Sequence, residues 1–102
     1  MKSRIELQTK LEEILGSNHV YFQPPTSVSL KYPCFVYSFE GIDTIRANNG
    51  NYIKSYRYEI THIYKKLDNR KTEEILDSFQ MISQNNCVVV DGVYNENFTL
   101  FI

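Results

Sequence analysis

The sequence lacks most of the features that mark enzymes and metal proteins. It has no Trp and only two cysteines, Cys34 and Cys87, which lie far apart and form no C-x-x-C pair. Both are therefore expected to be reduced, buried thiols, with neither a disulfide nor a metal site. No H-E-x-x-H, G-x-S-x-G, Walker or G-x-G-x-x-G motif occurs. These absences argue against an enzyme and predict no catalytic residues, no cofactor and no metal.

Charge and long apolar runs are also scarce. A formal net charge of -1 gives no broad attraction to nucleic acid or to anionic membranes. No apolar run approaches the about 18 residues that cross a bilayer, and the N-terminal stretch lacks the apolar centre of a signal peptide. We therefore expect a single domain, residues 1–102, that stays in the cytoplasm where it is made.

The longest strand-like run, residues 52–65, organises the rest of the chain. It is rich in Tyr, Ile and Thr and contains no Gly or Pro. Because side chains alternate along a strand, one face carries an apolar and aromatic row: Tyr56, Tyr58, Ile60, His62 and Tyr64. The other face carries a polar row: Ser55, Arg57, Glu59, Thr61 and Lys65. This pattern predicts a central strand with one covered face and one wet face, and a hydrogen-bonded or edge position for His62.

The first half of the chain predicts one helix and two shorter strands before the central strand. Apolar residues repeat at helical spacing over residues 3–16, and strands are expected at residues 19–23 and 34–39. Residues 41–51 are the most loop-like stretch, although this loop contains Ile42 and Ile45. Together with the central strand, this loop is predicted to form a long β-hairpin that projects from the body.

The second half predicts a helix and two more strands. Asp68 or Asn69 is expected to cap the helix, which would continue to residues 85–86. A strand of the buried type is predicted at residues 87–90, followed by a last strand with alternating Phe98, Leu100 and Ile102. Either residues 91–92 or residues 95–97 turn this final hairpin. The predicted fold class is α+β, in the order α-β-β-β-α-β-β, with an antiparallel sheet of about five strands and both helices on its aromatic face.

Three segments carry a resemblance to a known family. They are residues 32–37 (YPCFVY), residues 56–61 (YRYEIT) and residues 98–101 (FTLF), in this order around a polar loop, a turn and a helix. In this arrangement the chain resembles the tail terminator family, small tail-completion proteins of long-tailed bacteriophages. The resemblance covers most of residues 20–102, and its motifs are packing patterns. The chain departs from the family in the short segment between the last two strands.

The resemblance implies a structural protein of the virion, located at the head–tail junction and assembled in the host cytoplasm. Such a protein forms a hexameric ring on the tail tube, stops tube polymerisation and presents a surface to the head connector, while DNA passes through the lumen without sequence-specific binding. Arg57 and Glu59 would then form pairs between subunits. Contacts to the tube protein or the connector would come from the long loop: Ile42, Asp43, Ile45 and Arg46.

Two other functions fit the same sequence. One is a head-completion or stopper protein of the same junction, which would differ in its neighbours. The other is a small non-enzymatic intracellular module that binds one protein partner through the aromatic hairpin. The oligomeric state in solution separates these hypotheses, because a ring favours the junction and a compact dimer favours the binding module.

Overall fold

The computed structural model describes residues 4–46, 50 and 52–102, without the side chains of residues 45, 46, 52 and 53. It is an α+β fold in the predicted order. The elements are α1 (Arg4–Leu15), β1 (Val20–Phe22), β2 (Cys34–Arg46), β3 (Tyr52–Tyr64), a 3-10 turn (Leu67–Asn69), α2 (Thr72–Ser78), β4 (Ile82–Val90) and β5 (Val93–Phe101).

One five-stranded sheet contains every strand, in the order β1-β2-β3-β5-β4. The pairs β2–β3, β3–β5 and β5–β4 are antiparallel, and only the short β1 runs parallel to its neighbour β2. The predicted central position of β3 is confirmed. Its register places Ile60 between Tyr37 of β2 and Phe98 of β5.

Both helices pack on the aromatic face of this sheet, as predicted. Leu7 and Leu11 of α1 and Ile75 of α2 are fully buried in one cluster with Ile60 and Phe98. Burying an aliphatic side chain of this size stabilises the fold by roughly 1.5–3 kcal/mol, so the helices are held mainly by this face. No helix in the described ranges has the length and apolar character needed to span a membrane.

The predicted loop over residues 41–51 is wrong in its first half. Residues 41–46 belong to β2 and continue its antiparallel pairing with β3 as far as Arg46 and Tyr52. A register shift between Phe39 and Gly41 makes a β-bulge, and Gly41 has a φ of 153° that disfavours other residues. Residues 47–49 and 51 of the predicted loop lie outside the described part of the chain.

The predicted second helix is too long. The helix ends at Ser78, because Phe79 is extended, and residues 82–86 belong to β4 instead. Neither predicted cap is used: Lys71 precedes the first helical residue, and Asp68 and Asn69 lie in the 3-10 turn. A short helix gains little from propensity alone, so pairing with β5 decides the structure of residues 82–86.

Strand β4 is an exposed edge, so the prediction of a buried strand at residues 87–90 is also wrong. Its side chains are exposed from Ser83 to Val90. Asp91 and Gly92, with φ values of 51° and 76°, close the final hairpin. A two-residue turn with positive φ at both positions is the type I′ geometry that favours Asp-Gly.

Candidate interaction surface and buried polar cluster

One half of the β2–β3 hairpin extends beyond the rest of the sheet. Strand β1 pairs with β2 only at Phe35, Val36 and Tyr37. On the other side, Ile102 exchanges backbone bonds with Tyr56 and marks the last point at which β5 and its end reach β3. Residues 39–46 and 52–56 are called the arm below; beyond Tyr56 and Ile42 it is a two-stranded ribbon. The arm makes the molecule elongated, with extents of 51 × 27 × 23 Å.

The arm carries exposed apolar side chains on the same face of the sheet that the helices cover elsewhere. Phe39, Ile42 and Tyr56 are 41%, 51% and 37% exposed, and these three residues are called the arm strip. The Phe39 ring lies 6.4 Å from the Tyr56 ring and 5.4 Å from the buried Tyr58 ring. The strip thus continues the aromatic row of the core past the point where helices cover it. An apolar row of this kind is typical of protein contacts.

The opposite face of the arm holds an ion pair. Arg57 Nη1 donates to Asp43 Oδ1 at 2.7 Å, and both side chains are about 40% exposed. The guanidinium also lies over Gly41, where an added Cβ would come within 3.1 Å of Nη2. A half-exposed pair contributes about 0–1 kcal/mol to stability. The pair neutralises both charges within one chain. The role of Arg57 in pairs between subunits and the contact of Asp43 with the tube protein or the connector remain predictions.

The other residues predicted from the resemblance occupy different surroundings. Ile42 is the most exposed member of the arm strip. Glu59 is exposed on the helix-free face of the sheet, between Ser38 and Thr99. The backbones of Ile45 and Arg46 pair with Ile53 and Tyr52 at the end of the arm, but their side chains lie outside the described residues. The structure thus brings Ile42 and Asp43 together on the arm and places Glu59 on the body.

A buried carboxylate forms a polar cluster under α2. Glu96, which is 1% exposed, accepts hydrogen bonds from the Tyr64 hydroxyl, from Thr72 Oγ1 at 2.6 Å and from Gln84 Nε2 at 2.8 Å. The Nε atom of Arg70 lies 4.0 Å from Glu96 Oε1. Buried charges are stable only with such partners. The cluster ties α2 to β3, β4 and β5, so its first role is structural.

Sequence reasoning placed Glu96 in a possible turn and missed this cluster. The available signal was periodicity, because Glu96 precedes Phe98 and Leu100 in the same inward row. Burial and the bond to Glu96 raise the pKa of the Tyr64 hydroxyl, so that it stays protonated and remains a donor. A hollow of about 410 Å³ lies outside the cluster and is lined by charges of both signs: Arg70, Lys71, Glu73 and Glu74.

His62 is fully buried next to this cluster. Its ring lies 4.8 Å from the Phe35 ring and 4.7 Å from the Tyr64 ring, and neither ring nitrogen has a hydrogen-bond partner in the described part of the chain. The expectation of a hydrogen-bonded or edge histidine is therefore wrong. Burial lowers the pKa of His62 to about 4, and this outweighs the opposing effect of the Glu96 carboxylate. His62 is neutral at pH 7 and closed to solvent, so it offers no general base to a substrate.

The two cysteines differ in their exposure to solvent. Cys34 is fully buried, and burial raises its pKa to about 11, as expected of an inert core thiol. Cys87 is exposed on β4, so the prediction of a buried thiol is wrong at this position. Within the described ranges, no group of three or more His, Cys, Asp or Glu side chains is arranged to hold a metal ion.

Comparison of the chain with protein-family models, with curated proteins and with solved structures gave no match in any of the three. The resemblance to tail terminators thus stays a prediction, and the arm and the open face of the sheet are the features that bear on function.

Proposed function

We propose that this protein is a structural subunit of a phage head–tail junction. In this proposal it forms a hexameric ring that caps the tail tube, stops tube polymerisation and offers a surface for the head connector. DNA passes through the lumen of the ring without sequence-specific binding. The protein acts through contacts with copies of itself, with the tube protein and with the connector.

The observation that carries the proposal is the arm with its exposed strip. The arm leaves the body of the sheet and bears Phe39, Ile42 and Tyr56, whose side chains are 37% to 51% exposed. Exposed aromatic side chains gain stability when a partner covers them. A subunit that must reach across to a neighbour or to the tube needs such an extension.

The body of the molecule supports the same function. A small sheet with both helices on one face leaves its other face open for contacts, and that face carries mixed polar side chains such as Glu59, Thr61 and Thr99. Polar and half-buried surfaces suit subunits that are folded before they assemble. A ring needs unlike patches that meet head to tail, and the arm and the body supply two different patches.

The first test is the assembly state of the purified chain, alone and mixed with tail tubes that lack a terminator. Sedimentation over a range of concentrations gives the mass, and electron microscopy shows whether rings with a central opening form, free or at tube ends. Rings at tube ends support the proposal. A compact dimer that leaves tube ends bare refutes it, and a ring that binds the connector but not the tube identifies a stopper protein.

The second test changes the arm. The double variant Ile42→Asp/Ile45→Asp is expected to fold, because Ile42 is half exposed, but to lose tube capping and the joining of heads to tails. Ile5→Asp is the control, because Ile5 is 70% exposed on α1 and does not belong to the arm. If the double variant folds and heads still join tails normally, the arm is not the contact surface.

A further inference from the structure

We propose that copies of this chain join by β-sheet augmentation, in which β4 of one copy pairs with the arm segment of β2, residues 39–46, of the next copy. The occupant of each exposed edge is therefore a second copy of the same chain. Closure of the assembly into a ring rests on the proposed function. The pairing of β4 with the arm segment does not, because it depends only on the two strand edges.

The first observation is an unprotected edge at β4. Strand Ile82–Val90 has nine residues and contains no charge, no Pro and no Gly. One side of it pairs with β5, and no other described strand pairs with it. Val88, Val89 and Val90 are 45%, 55% and 55% exposed. Natural proteins protect long edge strands with charges, prolines or bulges. Strand β4 has a register shift between Gln84 and Asn86, but residues 86–90 beyond it carry no charge and no proline, so this part of the edge is expected to be covered by another strand.

The backbone of β4 is arranged to accept a strand. The type I′ turn at Asp91–Gly92 makes Val90 and Val93 the pair that closes the hairpin. Residues opposite each other alternate between hydrogen-bonded and non-hydrogen-bonded pairs in an antiparallel ladder. The N–H and C=O groups of Val89 therefore point away from β5, toward the open side of the edge.

The second observation is the outer edge of the arm. Strand β2 has β3 on one side along its whole length, but on its other side β1 ends opposite Tyr37. The backbone N–H of Phe39 donates to Gln23 Oε1 at 3.1 Å. Beyond Phe39 the arm segment of β2 has no strand on this side within the described residues, and it is nearly as long as β4. Strand β4 forms one edge of the sheet. The arm edge, on β2, lies on the opposite side of the sheet from β4.

These positions favour a head-to-tail contact between unlike edges. Pairing of β4 with the arm segment uses the β4 edge of one copy and the arm edge of the next. The first copy keeps an open arm edge and the second keeps an open β4 edge, so further copies can add through the same interface. Such a heterologous contact produces rings or filaments. Pairing of β4 with a second β4 would produce a closed dimer and leave both arm edges bare.

The side chains are compatible with this contact. No charge lies on β4. The arm segment carries Glu40, Asp43 and Arg46. Asp43 is paired with Arg57, and Glu40 accepts a hydrogen bond from Ser38 Oγ at 2.6 Å, so neither carboxylate would be buried without a partner. Next to the β4 edge lies an open hollow of about 450 Å³, lined mainly by apolar residues that include Ile63, Val88 and Val90.

The native exposed Cys87 provides a direct test. Wild-type protein, which presents the Cys87 thiol on β4, is mixed with the variant Thr44→Cys/Cys87→Ser, which presents a thiol on the arm. A short bismaleimide then links thiols that lie close together, and intact mass identifies each product. Cys34 does not interfere, because it is fully buried. A shift of two residues in the register between β4 and the arm segment would move the two sulfur atoms apart by about 7 Å. The bismaleimide spans a separation of this size.

The crossed product between the two proteins is expected to exceed either homodimer by at least about tenfold, because docking raises the effective concentration of the two thiols. The matched control is Ser29→Cys/Cys87→Ser, with a thiol on an exposed connection away from both edges. The experiment is run with and without tail tubes. A crossed yield equal to that of this control, or a dominant Cys87–Cys87 dimer, overturns the proposal.

A second pair of variants tests the backbone. Val89→Pro removes an outward N–H of β4 and keeps the bonds to β5, a position at which edge strands tolerate proline, whereas Val89→Thr keeps both the N–H and the branched shape. We expect Val89→Pro to lose the crossed product and Val89→Thr to retain it; equal yields from the two overturn the pairing. Rings without a crossed product overturn this inference alone, and a crossed product from assemblies that never bind tube ends refutes the phage function alone.

Discussion

Burial of His62 without a hydrogen-bond partner gives the protein a specific acid sensitivity. The pKa of this histidine is lowered to about 4 in the folded state, mainly by burial, whereas an unfolded histidine titrates near about 6.5. The unfolded chain therefore binds a proton at a higher pH than the folded chain does. The free energy of unfolding therefore decreases as the pH falls from the pKa of the unfolded histidine toward that of the folded one. Above the unfolded pKa, His62 does not change the stability.

The size of the effect follows from the two pKa values. One pKa unit corresponds to about 1.4 kcal/mol, so His62 alone removes about 2 kcal/mol of folding free energy between about pH 7 and pH 5. A domain of this size has only about 5–15 kcal/mol in total. The variant His62→Leu lacks the titrating group and is expected to lose this part of the acid sensitivity. At pH 7 it is expected to be about as stable as the wild type, because it also removes two buried ring nitrogens that lack partners.

The assay is urea unfolding at a series of pH values and constant ionic strength, with the free energy of unfolding as the readout. The neighbouring groups Glu96 and Lys71, which also act on His62, are present in both proteins, so the comparison isolates the contribution of His62. Phe35→Leu is the control, because it loosens the same packing and is expected to lower stability while keeping the wild-type pH slope. If His62→Leu shows the wild-type slope between about pH 7 and pH 5, the reasoning on its burial is wrong.

Two further predictions concern the polar cluster and the arm. Thr72→Val removes a donor to the buried Glu96 carboxylate and is expected to lower the free energy of unfolding by about 1–3 kcal/mol in urea titrations; an unchanged value would show that another group replaces the bond. Gly41→Ala places a Cβ against the Arg57 guanidinium at a φ of 153° and is expected to cost about 1–3 kcal/mol, part of which Arg57→Ala restores in the double variant. Simple additivity of the two changes would contradict this steric conflict.

The parts of the fold that the sequence predicts well are those in which local pattern and tertiary packing agree. Strand β3 alternates apolar and polar residues along most of its length, and α1 repeats leucines at helical spacing, so pairing and burial only reinforce the local preference. In the second half of the chain the two disagree. Ile75, Leu76, Phe79 and Ile82 continue a helical repeat, but residues 82–86 pair with β5 instead, which places Ile82 opposite the buried Leu100.

The candidate site shows the same division. The apolar residue Ile42 in a polar stretch correctly marks an exposed position, because an apolar side chain among polar ones has no local packing partner. The burial of Glu96 was not predicted, because its three donors come from β3, α2 and β4, and only the folded sheet brings them together. The bond between Asp43 and Arg57 spans the hairpin and depends on a bulge that moves the register by one residue.

The two errors in strand assignment have a common physical basis that bears on assembly. Residues 41–44 and residues 82–90 both lack the burial pattern of a core strand, since each has a sheet neighbour on one side only within the described chain. A sequence under selection to stay monomeric would place charges or prolines at such edges, yet β4 has neither. A conflict between local pattern and fold is expected where function imposes its own demands. The conflict at these two strands is therefore explained if their missing neighbours are supplied by other copies of the chain.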